Sequence, residues 1–176
     1  MSINSIPEKL INFRVYENGT DLLGVSDVQL PSLEYMTETV KGAGIAGEID
    51  SPALGHFGSM TMTLNWRAVT KPILRLGAPK AHELDLRGAI QKYEAATGEY
   101  LVTPLKVKVR SIPKKTDPGK MDVGATSDAS NEFEVIYLKI DLDGETLVEI
   151  DKYNYLCVIE GVDYLAQVRS ALGLAN

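Results

Sequence analysis

Residues 59–68, SMTMTLNWRA, give the strongest indication of the fold class, because apolar and polar side chains alternate along them. Met60, Met62, Leu64 and Trp66 occupy every second position, and polar side chains fill the positions between them. A period of two predicts a β-strand with one buried side and one side facing water. We therefore expect a chain of half-buried strands, and a fold that is mainly β.

Two more stretches carry the same alternation. They are HELDLRGAIQ at 82–91 and LKVKVRS at 105–111, with a turn signal at Thr97 and Gly98 between them. The polar side of the first stretch begins with acids and that of the second is basic. Attraction between opposite charges across a strand pair favours antiparallel pairing, so these stretches are predicted to form one long hairpin.

Glycine turns predict two further hairpins. Asp143-Gly144 separates FEVIYLKIDL from ETLVEID, and Asn18-Gly19 interrupts FRVYENGTDLLGV. Asp-Gly and Asn-Gly pairs are typical of two-residue type I′ turns, whose twist matches that of the adjoining strands.

Helical patterns are confined to two short stretches. TKPILRLG at 70–77 has Thr70 as a possible cap and Pro72 in its first turn. VDYLAQVRSALGL at 162–174 places Leu165 and Val168 on one side, with Gly173 at its end. The predicted fold class is mainly β, with a short helix and a C-terminal helix.

Length and composition are those of one soluble globular domain spanning 1–176. The chain is 44% hydrophobic and 24% charged, and its net charge of −6 argues against a surface built to hold nucleic acid. The single cysteine, Cys157, lies in an apolar setting and is expected to be buried. The first residues lack a secretory pattern and no window is long and apolar enough to span a membrane, so we expect synthesis in the cytoplasm without membrane insertion.

Two stretches read as long loops, 41–59 and 111–131. Both are rich in glycine, proline and small polar residues. Loops of this length are uncommon in a compact domain unless they are disordered or make contacts. We therefore expect something outside the domain to order them.

The first of these loops contains KGAGIAGEID at 41–50, which matches the dinucleotide-binding pattern G-x-G-x-x-G. That pattern binds a pyrophosphate only when a helix follows it and an acid stands about 20 residues further on. Here Pro52, Gly55 and Gly58 exclude a helix, and TLNWRAV supplies no acid. The glycines are better explained by positive φ angles or close backbone contacts.

No catalytic, metal or nucleic-acid motif is found in the sequence. His56 and His82 have no partner at metal-ligand spacing and are expected to be ordinary surface or loop histidines. Glu34 with Glu38, and Glu83 with Asp85, are carboxylate pairs on polar sides of predicted strands, where solvated charge is the simpler explanation. We expect no enzyme activity and no cofactor.

The chain resembles the major tail tube proteins of contractile-tailed bacteriophages and of phage-tail-like bacteriocins. The matching segments are spread over nearly the whole length, and the most specific is TVKGAGIAGEIDSP followed by GHFGSM. Both lie within the long segment LLGVSDVQLPSLEYMTETVKGAGIAGEIDSPALGHFGSMTMTLNWR, and the other segments are IPEKLINFRVYENG, ELDLRGAIQ, VIYLKIDLDG, EIDKYNYLCVIEGVDYL and RSALGL.

The resemblance implies a β-sandwich-like tube fold, similar to the tube protein of type VI secretion. It implies hexameric rings in which strands of neighbouring subunits join a continuous barrel, stacked inside a contractile sheath. The implied partners are other copies of the chain, the sheath protein, the baseplate hub, the tape measure protein and the tail terminator. DNA would pass without specific binding, and the location would be the tail of a virion or bacteriocin particle assembled in the bacterial cytoplasm.

The resemblance also gives the glycine-rich stretch a role as a contact loop between subunits. Negative charge facing the lumen would repel DNA phosphates. The contact-loop candidates are Gly42, Ala43, Gly44, Ile45, Gly47 and Glu48, and the lumen-facing candidates are Glu34, Glu38, Glu83 and Asp85.

Two other interpretations remain at this level. A stand-alone β-sandwich module that binds carbohydrate or protein predicts an exposed aromatic platform on a loop, whereas Tyr35, Trp66 and Tyr137 lie in predicted strands. A nucleotide-dependent enzyme is disfavoured by the missing helix and acid. The sequence does not separate a phage from a headless bacteriocin particle.

Overall fold

The computed structural model describes residues 4–174, so both ends of the predicted domain 1–176 lie outside it. The described residues confirm a mainly β fold with two short helices. The strands are β1 (Ser5–Glu17), β2 (Thr20–Asp21), β3 (Val25–Gln29), β4 (Tyr35–Lys41), β5 (Glu48–Phe57), β6 (Thr61–Trp66), β7 (His82–Glu94), β8 (Glu99–Asp117), β9 (Ala129–Leu142), β10 (Glu145–Asp151), β11 (Leu156–Ile159) and β12 (Val162–Asp163). The helices are α1 (Lys71–Arg75) and α2 (Ala166–Ala171).

Ten of the strands form one forked sheet. Its main path runs β12-β11-β10-β9-β8-β7-β1-β2, and a branch through β6 and β3 leaves from β9. β9 pairs with β8 on one side, and its other side pairs first with β6 and then with β10. Since the described ends of this path, β2 and β12, do not pair, the sheet is not closed into a barrel in the single chain.

A bulge in β9 allows this change of partner. The pairing with β8 shifts between Arg110 and Ser111, where Val135 and Tyr137 both find partners and Ile136 is the extra residue. The buried positions of β9 are odd up to Val135, and Leu138 is buried after it. A bulge bends and twists its strand, so the two halves of β9 can belong to differently oriented layers.

The core lies between the branch and the main sheet, and its centre is the strand that the sequence singled out. Met60, Met62, Leu64 and Trp66 are each at most 1% exposed. The branch is tied to β9 by Asn131, which accepts a hydrogen bond from Trp66 Nε1 at 2.9 Å and donates to the carbonyl of Ile73 at 3.1 Å. The alternation therefore predicted the buried side of β6 correctly.

All three predicted hairpins are present. In the β7–β8 hairpin, Glu83 lies opposite Arg110 and Asp85 opposite Lys108, as the charge pattern predicted. The β9–β10 turn has Asp143 and Gly144 at φ values of 55° and 80°. These positive values are typical of a type I′ turn, and Asn18-Gly19 between β1 and β2 repeats them.

Both predicted helices are present but shorter than their patterns. Thr70 is the N-cap residue of α1, although its side chain makes no capping hydrogen bond. α2 begins at Ala166 because the two residues Val162–Asp163 pair with β11 instead.

The predicted loop 41–59 is wrong, because residues 48–57 form β5 and pair with β4. Residues 42–47 form the turn between β4 and β5, and residues 58–59 follow β5. Pro52 is tolerated in β5 because a two-stranded sheet leaves each strand one unpaired side.

The predicted loop 111–131 is also too long. β8 continues to Asp117 and β9 begins at Ala129, so the loop is confined to 118–128. Pro113 is accommodated because β7 pairs with β8 only as far as Ser111, which frees the outer side of β8 beyond that point.

Candidate functional site

The β4–β5 hairpin is separate from the main sheet and has two unlike faces. Its polar face carries a hydrogen bond from Thr39 to Asp50 at 2.9 Å and an ion pair between Lys41 and Glu48 at 3.3 Å. Its other face, called here the hairpin apolar face, carries Glu38 as its only charged group between aliphatic side chains. Those side chains are Met36, Val40 and Ile49, with exposed fractions of 56%, 41% and 55%.

The base of the hairpin is fixed to the core. The rings of Tyr35 and Phe57 lie 4.6 Å apart, and Gly58 N donates to the carbonyl of Glu34 at 2.8 Å. Gly55 has φ of 65° and passes so close to Leu165 that an added Cβ would lie 2.5 Å from that side chain. The segment before α2 thereby sets the path of the hairpin.

Glu134 in β9 holds the end of the hairpin on the main sheet. Its carboxylate accepts hydrogen bonds from Ser59 Oγ at 2.5 Å and from Met60 N at 3.2 Å. Lys152 Nζ lies 3.4 Å from the same carboxylate and donates to the carbonyl of Gly58 at 2.7 Å. Burial alone would raise the pKa of Glu134, but these hydrogen bonds outweigh it and the pKa is lowered.

The outer face of β7, β8 and β9 is a field of charges of both signs. Arg110 pairs with Glu83 at 2.9 Å, and Arg87 pairs with Asp85 at 2.8 Å. Burial, and a hydrogen bond that its hydroxyl donates to Glu149 at 2.8 Å, raise the pKa of Tyr137 on this face to about 12. The acids here are therefore balanced by bases, Glu83 by Arg110 of the neighbouring strand β8 and Asp85 by Arg87 of its own strand.

The structure separates the predicted lumen-facing residues into two groups. Glu34 and Glu38 belong to the hairpin region, whereas Glu83 and Asp85 lie on β7 in the main sheet. The predicted contact loop forms the hairpin turn, and its last member, Glu48, is the first residue of β5. Gly42, Gly44 and Gly47 all have positive φ, which explains the glycine pattern without a nucleotide.

A second exposed surface was missed by the sequence analysis. The stretches 5–13, 88–94 and 99–105 form a three-stranded extension, called here the ribbon. It exposes aliphatic and aromatic side chains, and β1 pairs on its outer side only through Tyr16 and Glu17. Apolar runs such as LINF and YLV were the sequence signal that could have predicted this surface. The exposed side chains include Ile6, Leu10, Ile11, Tyr100, Leu101 and Val102.

His82 is not a surface or loop histidine as predicted, since it is 3% exposed within β7. Its Nδ1 lies 3.0 Å from Glu17 and its Nε2 lies 3.1 Å from the carbonyl of Ala78. Arg75 donates two further hydrogen bonds to Glu17, at 3.0 and 2.6 Å. The cluster joins α1 to β1 and β7, whereas His56 is exposed.

Cys157 is buried as predicted, and burial together with the carboxylate of Asp163 raises the pKa of its thiol. Within residues 4–174, no three side chains of His, Cys, Asp or Glu come together as metal ligands would. No helix among the described residues has the length and apolarity needed to cross a bilayer.

Two tyrosines of the turn after β10 are exposed outside the strands, Tyr153 at 73% and Tyr155 at 38%. The expectation that aromatic side chains lie in strands holds for Tyr35, Trp66 and Tyr137 but not for this turn.

Unpaired strand edges and exposed aliphatic faces are typical of β proteins that contact other molecules through their surfaces. The family model of phage tail tube protein FII matches residues 7–173, and the chain belongs to that family. It is 28% identical over 180 residues to the tail tube protein of Escherichia phage P2, covering 97% of this chain and 99% of that protein. It is 26% identical over 174 residues to the major tail tube protein of Serratia phage KSP20, covering 98% and 99%.

Among solved structures, the sheath/tube terminator of the extracellular contractile injection system PVC has a TM-score of 0.49 at 14% identity. That alignment covers 77% of this chain and 96% of the terminator. The family match confirms the resemblance found in the sequence.

Proposed function

We propose that this chain is the repeating structural subunit of the inner tube of a contractile phage tail or a phage-tail-like bacteriocin. Six copies form a ring, and rings stack around a channel through which DNA or an effector passes. The proposal is supported by membership of the tail tube family and by relatives named as tail tube proteins. The subunit acts by assembly and performs no catalysis.

The observation that carries this proposal is the unfinished main sheet. β1 presents an open edge over most of its length, and β8 presents another over 99–103, before Pro104 accepts a hydrogen bond from Asp143 N and pairing with β9 begins. An exposed edge is a template for another strand, and a closed ring of copies removes every such edge. Strands of neighbouring copies would thereby complete the continuous barrel.

The hairpin turn is proposed as a contact between subunits. The turn 42–47 has an open backbone, in which an added Cβ at Gly42, Gly44 or Gly47 would have no atom of the described residues within 4 Å. Glycines at these positions let the turn lie flat against a neighbouring copy.

The outer face of β7, β8 and β9 is proposed to line the channel. Glu83 and Asp85 belong to this face, whereas Glu34 and Glu38 belong to the hairpin region and are left out of it. Since Glu83 and Asp85 pair with Arg110 and Arg87, their role is to keep basic groups from binding phosphates as DNA passes.

The surrounding particle supplies the other partners in this proposal. The sheath protein would enclose the tube, and the baseplate hub, the tape measure protein and the tail terminator would define its ends and length. The subunit would be made in the bacterial cytoplasm and would end in the tail of the particle.

The test is negative-stain electron microscopy of the purified chain over a concentration series, with light scattering for mass. Rings or hollow tubes that increase with concentration are expected. A monomer at every concentration, even with preformed baseplates added as initiators, would contradict the proposal.

A further inference from the structure

The inner face of the ribbon continues the hydrophobic core beyond the layer that covers it. Pairing in register places Leu10, Ile90 and Thr103 in one row across the ribbon, and Pro7, Lys92 and Leu101 in the next. These rows share the side of the sheet that buries Leu86 and Val107. Yet Leu10 is 46% exposed and Leu101 is 43% exposed, so this side lacks a covering layer.

A cavity lies where β3, which covers this side of the main sheet, ends. It has a volume of about 210 Å³ and lies between the root of the ribbon and the end of β3. Its wall is almost entirely aliphatic and aromatic. The lining residues that matter here are Leu10, Phe13, Val28, Leu30 and Leu105.

The hairpin apolar face is a second surface that the described part of the chain leaves uncovered. The hairpin apolar face exposes Met36, Val40 and Ile49, and the polar face of the hairpin satisfies its own charges. An unpartnered aliphatic face of this kind indicates a contact with another molecule.

Opposite charges on the ribbon and on the hairpin indicate how these two surfaces would be aligned in a contact. Lys92 is the only basic side chain of the ribbon's inner face, and it makes no ion pair within residues 4–174. Glu38 is the only charged side chain of the hairpin apolar face, and it too makes no ion pair in the described part of the chain. Glu94 and Glu99 form the next row of this inner face, at the tip of the ribbon, so Lys92 is the position on it where a carboxylate of a partner can pair.

The spacing of side chains along the strands of the two surfaces is also compatible with this alignment. On each surface an aliphatic side chain lies two residues along the strand from the charge, at Val40 beside Glu38 and at Ile90 beside Lys92. Two residues of a strand span about 7 Å. An ion pair between Glu38 and Lys92 therefore brings the aliphatic side chains of both surfaces into contact.

We propose that the hairpin apolar face of one copy packs on the inner face of the ribbon of a second copy, with Glu38 beside Lys92. An aliphatic side chain of the hairpin then enters the cavity between Phe13 and Leu30. This assignment rests on the proposed self-assembly and names the surface that receives the hairpin.

Charge reversal tests the contact. Glu38→Lys and Lys92→Glu should each raise the concentration at half assembly about tenfold, and the double variant should restore it to within about threefold of the unaltered chain. Light scattering and negative-stain microscopy measure assembly, and circular dichroism verifies the fold of each variant. The matched control is Glu145→Lys with Lys71→Glu, at exposed positions outside both surfaces, which should leave assembly unchanged.

A cross-linking experiment shows whether the hairpin that packs on the ribbon comes from a second copy of the chain. Glu38→Cys and Lys92→Cys variants are prepared separately, mixed and oxidised, while Cys157 stays in place because it is buried. A covalent dimer formed only in the mixture supports docking between copies. A double-cysteine chain that cross-links to itself, with no dimer in the mixture, would overturn it.

The outcomes separate this contact from the proposed function. If all variants form tubes at the same concentration, the docking assignment is wrong and the tube function stands. If the unaltered chain never forms rings or tubes, both proposals fall.

Discussion

Arg110 lies directly opposite Glu83 and donates two hydrogen bonds to a single oxygen of that carboxylate, from Nε at 3.1 Å and from Nη2 at 2.9 Å. Arg87 makes the same pair of contacts with Asp85, at 3.1 and 2.8 Å, and its guanidinium lies 5.1 Å from the ring centre of Tyr16. Exposed pairs of this kind add little to folding stability. In the proposed channel they would determine which charges a passing polyanion meets.

Removing the two carboxylates should therefore convert this face into a polyanion-binding surface. The variant with Glu83→Gln and Asp85→Asn leaves Arg110 and Arg87 without their partners, and we expect tighter binding to DNA and to heparin resin. The effect should weaken as salt rises, because released counterions drive such binding.

The matched control is Asp122→Asn with Glu145→Gln, which removes the same number of charges from exposed positions elsewhere. It should elute from heparin close to the unaltered chain. Equal retention of the two double variants would refute a special role for Glu83 and Asp85.

Glu17 should make folding stability sensitive to acid. Burial alone would raise the pKa of Glu17, but hydrogen bonds from Arg75 and His82 outweigh it, so the pKa in the folded chain is below its ordinary value. The carboxylate therefore stabilises the fold above about pH 4.3, the ordinary value for glutamate, and loses this contribution as pH falls through the lower, folded value.

The variant Glu17→Gln should lower the free energy of unfolding by about 2 kcal/mol at pH 7, because a buried charged partner of Arg75 is removed. Its deficit should shrink as the pH falls toward 3. Urea denaturation at several pH values measures both effects. A deficit that stays constant with pH would show that Glu17 acts only through packing.

Gly55 should tolerate no side chain, because of its contact with Leu165. An alanine Cβ there would lie 2.5 Å from Leu165, which is 3% exposed. Gly161→Ala is the matched control, since Gly161 also has positive φ, at 80°, but has open space around it.

Both substitutions carry the strain of a left-handed backbone, about 1 kcal/mol. Gly55→Ala should cost about 1–3 kcal/mol more, because it overpacks a closed contact. Thermal and urea denaturation measure the difference. Equal losses for the two variants would mean that Leu165 moves aside freely.

Asn131 should be the most sensitive polar residue of the core. It is fully buried, and its amide joins Trp66, Ile73 and Thr116 through three hydrogen bonds. Asn131→Ala leaves the indole N–H and the carbonyl of Ile73 unpaired, and we expect a loss of about 3 kcal/mol or more.

Urea denaturation, with Trp66 fluorescence as the probe, measures this loss. Asn154→Ala is a control at an exposed turn and should cost less than about 1 kcal/mol. A loss at Asn131 as small as that at Asn154 would contradict the assigned network.

The strands and turns could be predicted because their signals are local. Alternation placed the buried side of β6, and Asp143-Gly144 set the β9–β10 turn. Opposite charges also predicted the pairing of β7 with β8. Each of these signals depends on residues close in sequence or directly opposite one another.

The sequence-based predictions were wrong where contacts between distant strands outweigh the local amino-acid composition. Glycine and proline suggested a loop over 41–59, but β4 supplies a partner strand, and Pro52 uses the unpaired side of β5. His82 appeared isolated because its partners, Glu17 and the carbonyl of Ala78, are fixed by the approach of β1 and by the turn after α1.

Local patterns, and motifs spread along the chain, were enough to predict the secondary structure class, the turn types and the tail tube family. The three-dimensional structure was needed to show that the hairpin is amphipathic, that the ribbon extends past its covering layer, and that His82 is buried beside Glu17. Those features depend on register and on where one layer ends above another. Register and layer boundaries depend on contacts between residues far apart in the chain, and no periodicity in the sequence predicts them.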